Sequence, residues 1–593
     1  MTFLPTTNPE NIRFDFIVVS ADAYVDHPSF GAAIIGRFVE SLGFSVGVIA
    51  QPVTDNDYQK LGEPKHAFLV SCGVVDSMVA NYSVNLKKRK EDAYSDNGIA
   101  GKRPDRVCDV YCNKLKNLYP ETTVIAGGIE PSLRRLAHYD YWQNSVRQSI
   151  LYTSKVDLVV YGMGEVAMQE ICSAVKKGIP LNKLKDISGT AYITDINSAS
   201  KKVKRAILEN DNSKYKILSS FSRVSTDKKL YAKAFLDAQK SDDKGLIQKQ
   251  DNNFYVVINP PATPASTKLL DYIYGLPFVR EPHPSYENVP AIEEVKFSVA
   301  AHRGCYGDCA FCALKAHQGK CISNRSNDSI LSEVESITKL KGFKGYIHDI
   351  GGPTANFHAQ PCDKSKASSV CKEKTCLGHN PCKNIKYDHK NYLELLRAAR
   401  KIKGVKKVFV RSGIRFDYIM GDSNKEFLQE LVSFHVSGQL KVAPEHVSDS
   451  VLKLMNKPSH KVYLEFYDAF YKATKQAGKE QYLVPYFVSS HPGSTVKDAI
   501  KLLEYLLSIN YEPQQVQDFY PTPNTLSTVM YYTGINPATN KEIFTAKTKQ
   551  DKTIQRALMQ WRKKENKPII IDALKQNKRD DLIKRIVGSI FKK

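Results

Sequence analysis

An α/β fold in two parallel-strand units with a helical C-terminal tail is expected for this 593-residue chain, on three observations. Short β-branched runs alternate with helix-period segments before residue 193 and again after residue 292, the pattern of strands joined by crossover helices. A polar, lysine-rich and proline-punctuated stretch separates the two series. The length exceeds what one hydrophobic core organises. The expected units are a Rossmann-like domain at 1–193, a polar connector with a proline-rich segment at 194–291, a partial parallel β/α barrel at 292–530 with a cysteine-rich insert at 354–389, and a basic helical tail at 531–593.

In the first unit, Phe14–Ser20, Val46–Ile49, Ala67–Ser71, Thr123–Ala126 and Leu158–Tyr161 are apolar runs of buried parallel strands. Phe30–Leu42 has helical spacing, with Gly43 placed to end it. A doubly wound sheet binds ligands beyond its carboxyl strand ends, here Asp22–His27, Cys72-Gly73, Gly127–Glu130 and Gly162–Glu165. Two loops, Asn97–Arg106 and Gly127–Arg135, combine glycines with arginines and read either as anion sites or as turns. Cys72, Cys108, Cys112 and Cys172 form no ligand set; Cys108 and Cys112 lie one helical turn apart, as on a buried face. The connector carries a helical pattern at Lys229–Gln239 and a stiff spacer at Asn259–Pro264.

The second series has strands at Val295–Ala300, Gly345–Ile350, Lys407–Arg411, Leu440–Ala443, Tyr482–Val488 and Val516–Tyr520. Helical segments separate them, the first from Asp328, placed as a cap, to Leu340. Chemistry in such a barrel sits at the carboxyl strand ends. There, after the first strand, Cys305, Cys309 and Cys312 stand at C-x3-C-x2-C, with Gly304 and Gly307 to bend the loop. Three thiolates suit a [4Fe–4S] cluster with one open iron, or zinc with a fourth ligand from elsewhere. A second group, Cys362, Cys371, Cys376 and Cys382, lies in a lysine-rich insert near His358, His379 and His389. Four thiolates would close a structural zinc site or an auxiliary Fe–S cluster, although the spacing fits no standard zinc pattern and free thiols remain an alternative.

With Phe311 at the aromatic position, C-x3-C-x-Φ-C resembles the signature of radical S-adenosylmethionine (SAM) enzymes. Along nearly the whole chain the resemblance is closer to the YgiQ-type radical SAM proteins. It implies a [4Fe–4S] cluster on Cys305, Cys309 and Cys312, and SAM bound near Phe311, Gly351, Gly352, Pro353, Arg411, Ser412, Arg415 and Glu445. Pro353 stands where an acidic residue is usual. No catalytic side chain is assigned beyond the cluster, and the substrate is not given. Flavodoxin or ferredoxin is the implied electron donor. The first domain resembles cobalamin-binding domains, but Asp26 and His27 are adjacent rather than spaced as Asp-x-His, so cobalamin is not expected. Val442–Lys457 and His491–Thr495 resemble segments of methylthiotransferase-like proteins, which keeps an RNA-modifying enzyme as one alternative. A non-enzymatic metal- and nucleic-acid-binding protein is the other.

The formal net charge is +23. Its lysines are spread through every segment, densest at Lys87–Lys90 and after Phe544, so nucleic acid is kept as a partner but not favoured. The sequence lacks an apolar run of about 18 residues and a secretory leader, so a cytoplasmic protein without membrane contact is expected, its cysteines reduced.

Overall fold

The computed structural model describes residues 2–241, 243–363, 371, 375–514 and 516–590. A nine-stranded sheet organises the first half. Its strands are β1 (Phe16–Ser20), β2 (Val46–Ala50), β3 (Ala67–Ser71), β4 (Thr123–Gly127), β5 (Leu158–Val160), β6 (Thr190–Asp195), β7 (Tyr215–Ile217), β8 (Gly245–Lys249) and β9 (Phe254–Ile258). The order is β2-β1-β3-β4-β5-β6-β9-β8-β7. The first five are parallel, as their continuous apolar runs imply. Phe16 and Val18 of β1 enter the core on one face, Ile17 and Val19 that on the other.

The connector is corrected here. Residues 190–258 continue the sheet as β6 to β9, with antiparallel pairings of β5 to β6, β6 to β9 and β9 to β8. Ile247 and Val257 enter the core on one face and Leu246, Val256 and Ile258 that on the other, so it is the lysine- and asparagine-rich chain between these short strands that disguises them. The expected helix is present as α1 (Lys228–Lys240).

The second half is a partly open barrel. Its strands are β10 (Ser298–Ala300), β11 (Tyr346–Ile347), β12 (Asp349–Gly351), β13 (Lys407–Val408), β14 (Gln439–Glu445), β15 (Tyr482–Ser489) and β16 (Gln517–Asp518). Each pairing among these strands is parallel: β10 to β12, β11 to β13, β14 to β15 and β15 to β16, with a parallel bridge from Ile414, in the segment after β13, to Val442 of β14. After β10, α2 (Leu314–Gln318) and α3 (Asn327–Ile337) follow the cysteine loop. Ser326, not Asp328, caps α3 by accepting from the Ser329 amide, and Asp328 sits in the first turn, favoured by the helix dipole.

The C-terminal segment is a packed layer. In α4 (Leu526–Thr533), Val529 and Tyr531 join a cluster with Tyr231 and Ala234 of α1. Leu558, Trp561, Ile570 and Leu574 bury against Leu503 and Leu506 on the flank of the barrel. Among the described residues, no helix is long and apolar enough to cross a membrane.

Candidate functional site

The cysteine loop closes on itself. His302–Arg303 pairs with Ser323–Asn324, and the Cys305 amide donates to the Gly319 carbonyl at 3.1 Å. Gly304 has φ +88, and a Cβ there would lie 2.0 Å from the Cys321 carbonyl oxygen, so the closure demands glycine. Distant segments then pin the loop. The Ala310 amide donates to Met455 O at 2.9 Å, the Ser527 amide donates to Ala310 O at 2.9 Å, and Asn456 Nδ2 donates to Asp308 O at 2.8 Å.

All twelve cysteines are thiols. Cys305 Sγ is 3.6 Å from Thr354 Oγ1. Arg415, clamped by both oxygens of Asp417, donates to Cys309 Sγ at 3.6 Å and to Gly307 O at 3.3 Å. Burial raises the Cys309 thiol, against Lys457 and Arg415, which lower it. Burial, then Cys309 beside it, pushes Cys312 up to about 12. Such thiols ionise when a bound cation replaces the lost hydration. No three cysteine, histidine or carboxylate groups among the described residues converge on a single metal ion. A cubane presents a different iron to each thiolate, so three thiols spread along one bent loop, with a guanidinium against one sulfur, fit a cluster.

Around this loop the barrel ends place the other predicted residues. Glu445 adopts φ 69 at the end of β14 and is buried, 3.6 Å from the equally buried Lys457 Nζ. Burial raises its carboxyl against the pull of Lys457 and Arg415. At Gly351 a Cβ would meet Ser412 Oγ at 2.7 Å, and at Gly352 one would meet His302 Nε2 at 2.6 Å. Pro353 follows, half-buried. Arg411 is exposed, and its amide donates to Asp349 Oδ1 at 2.7 Å. The Ser412 hydroxyl also donates to Asp349. The Phe311 ring lies 6.1 Å from that of His491. Sequence reasoning missed Asp349, Asp417 and Lys457. A lone carboxylate inside the apolar β12 run was the available signal for Asp349.

The second cysteine group packs on the first. Tyr306 of the loop stacks on Phe357 at 3.8 Å, and Leu377 of the insert joins the same small core, flanked by Cys305 and Cys376. Burial, then Cys362 and Cys382 nearby, pushes the Cys376 thiol up to about 11. Cys371 is exposed. Residues 364–370 and 372–374 of the insert lie outside the described residues.

The N-terminal strand ends face this loop. Ser132 Oγ is 3.1 Å from His317 Nδ1 of α2, and Glu165 pairs with the buried Arg303. Arginines of the two glycine- and arginine-containing loops are paired within the protein, and Ile129–Arg134 of the second is a short helix: Arg103 pairs with Asp22 and Asp92, Arg106 with Asp140, and Arg134 with Asp76.

Three family models match in succession: Radical SAM N-terminal over residues 3–298, Radical SAM superfamily over 299–511, and a domain of unknown function (DUF3362) over 514–586. A UPF0313 protein of Clostridium botulinum (strain Loch Maree / Type A3) is 51% identical over 598 residues, spanning 98% of this chain and 90% of its own. The UPF0313 protein CPE1196 of Clostridium perfringens (strain 13 / Type A) is 49% identical over 98% of this chain and 88% of its own. Among solved structures, the radical SAM methyltransferase TsrM of Kitasatospora setae, with cobalamin and a [4Fe-4S] cluster bound, overlays at TM-score 0.47 with 13% identity, covering 87% of this chain and 74% of TsrM. The cobalamin-dependent radical SAM enzyme OxsB, with aqua-cobalamin bound, overlays at 0.46 with 11% identity, covering 87% of this chain and 55% of OxsB.

These findings correct one expectation. Cobalamin was set aside because Asp26 and His27 are adjacent, yet TsrM and OxsB are described with cobalamin bound. A missing lower-axial histidine removes one cobalt ligand, not the crevice at the strand ends, so the motif is no ground for exclusion. With half the sequence shared along almost the whole length, the chain belongs to the UPF0313, or YgiQ-type, family of radical SAM proteins.

Proposed function

We propose that this protein is a radical SAM enzyme whose cluster is held by Cys305, Cys309 and Cys312. The observation that carries the reading is the loop itself: three thiols at the mouth of a parallel barrel, one contacted by the Arg415 guanidinium. A [4Fe–4S] cluster held by Cys305, Cys309 and Cys312 would supply the electron for reductive cleavage of SAM to methionine and a 5′-deoxyadenosyl radical. The chain's own part is placement and exclusion of water. Arg415 stabilises the Cys309 thiolate, and its ion pair with Asp417 fixes the guanidinium. Gly351 and Gly352 offer SAM their backbone before Pro353, their missing side chains making room for Ser412 and His302 behind it. Phe311, Arg411, Ser412 and Glu445 complete the proposed SAM surroundings, with Ser412 acting through its carbonyl because its hydroxyl and amide both serve Asp349. An electron donor of the flavodoxin or ferredoxin type is part of this reading.

The packing of Cys376 beside Cys362 and Cys382 favours a second, closed metal site with Cys371, holding zinc or an auxiliary cluster. Phe357 and Leu377 of the insert pack on the cysteine loop through Tyr306.

Anaerobic reconstitution with iron, sulfide and zinc counting, followed by an assay for 5′-deoxyadenosine under reduction, tests both sites. Cys305→Ala is expected to abolish 5′-deoxyadenosine and leave metal at the insert. Retained product in that variant sinks the cluster assignment.

A further inference from the structure

An unbroken file of aromatic rings leads from the cysteine loop to the surface. Phe311 lies between Cys309 and Cys312 in sequence, and its ring is 6.1 Å from His491. His491 is 5.2 Å from Phe519, and Phe519 is 5.9 Å from Tyr531. From Tyr531 the file branches to Tyr141 at 5.9 Å and to Tyr139 at 6.3 Å, and Tyr139 stacks on Tyr532 at 4.6 Å. Phe519 and Tyr531 sit in one buried cluster with Phe311 packed against it, so the file is dry. His491 is held neutral: burial brings it down to about 3, and its ring nitrogens lie 2.8 Å from Pro492 O and 2.7 Å from Ser527 Oγ.

The surface end of the file is ringed by ammonium groups from separate segments. Lys228 Nζ lies 5.5 Å from the Tyr532 centroid, Lys547 Nζ 5.7 Å from Tyr531, and Lys552 Nζ 5.2 Å from Tyr141. Lys228 and Lys547 are exposed. Partial burial, then Lys228 nearby, lowers Lys547. Cations gathered against each other's repulsion make a face that an anionic partner would relieve. Lysine is abundant over this whole surface, so charge alone does not name that partner. What sets this patch apart is that three ring-to-ring steps join Tyr531 to the cysteine loop.

We propose that the Lys228–Lys547–Lys552 face docks an acidic one-electron carrier protein, and that Tyr531, Phe519, His491 and Phe311 are the conduit from that face to the cysteine loop. This rests on the cluster reading above. The step balances simply: the reduced carrier loses one electron, the metal group on the loop gains it, and no proton crosses. The rings act as a bridge and are themselves neither oxidised nor reduced. Complexes of this kind bury little surface, dissociate readily and depend on charge for their encounter rate.

The test uses the full-length reconstituted protein with a flavodoxin hydroquinone as carrier probe and dithionite as a small reductant that needs no docking. Reduction is followed by bleaching of the iron–sulfur absorbance, and carrier affinity by titration. Lys228→Glu with Lys547→Glu is expected to slow carrier-driven reduction at low salt about tenfold or more, weaken carrier binding, and abolish its salt dependence. Reduction by dithionite stays unchanged. Phe519→Leu is expected to leave carrier affinity intact and slow electron entry within the complex. Unchanged carrier rates and affinity in the double-lysine variant overturn the docking face. Loss of tRNA binding there, with carrier behaviour intact, assigns the face to nucleic acid instead. If dithionite bleaches nothing in the wild type, the cluster reading fails first, and the docking proposal with it.

Discussion

A single hydrogen atom stands in for a side chain at Gly304, and the cysteine loop depends on it. A methyl group there would sit 2.0 Å from the Cys321 carbonyl oxygen with φ at +88. Gly319 has φ +80 but open space around its Cβ position, so it carries the backbone penalty alone. Gly319→Ala is expected to cost about 1–3 kcal/mol of stability and to keep its iron. Gly304→Ala is expected to lose iron after reconstitution even where thermal unfolding shows a folded protein, because the hairpin closing the loop must open. Equal iron contents in the two variants would refute the steric argument. At this scale the sequence was partly legible. The three cysteines and bending glycines followed from spacing, but the closeness of Gly304 to Cys321 did not. The commitment of Ser412 to Asp349 was hidden too, because it spans two strands 63 residues apart.

Elements reach each other through a few buried charges. The strand entering the cysteine loop meets the helix Glu165–Lys176 through Arg303 and Glu165, with side-chain exposures of 7% and 4%. Glu165→Ala strands Arg303 without its counter-ion, which typically costs about 3–5 kcal/mol. A drop of that size in the unfolding free energy from chemical denaturation checks it; Glu165→Ala with Arg303→Met should recover much of the loss. Parallel strands were readable as elements because burial on both faces leaves them uniformly apolar. The strands at 190–258 were not, since they are short and set between polar, lysine-rich stretches that mimic a linker.

The whole molecule carries an acid liability. His138, His302 and His491 are brought to about 3, and His317, His358, His435 and His446 to about 4, in each case mainly by burial. A histidine lowered in the folded state binds its proton only on unfolding. Its stability contribution is therefore complete above the unfolded value near 6.5 and is lost as pH falls towards 3–4. Calorimetry near pH 5.5 is expected to show uptake of about six protons on unfolding, with Tm falling steadily from pH 6.5 to 4. A flat Tm over that range would show that these histidines are solvated. The sequence shows fourteen histidines but not which are dry, since dryness belongs to the assembled core.

The pins on the cysteine loop also impose a timetable. Ala310 is held from one side by Met455 and from the other by Ser527, more than 200 residues further along. A chain growing from the ribosome presents its three cysteines long before it presents their holders. On the proposed reading, a cluster would enter the finished loop late in biosynthesis, and a polypeptide stopped short of Ser527 would expose the three thiols with no socket around them.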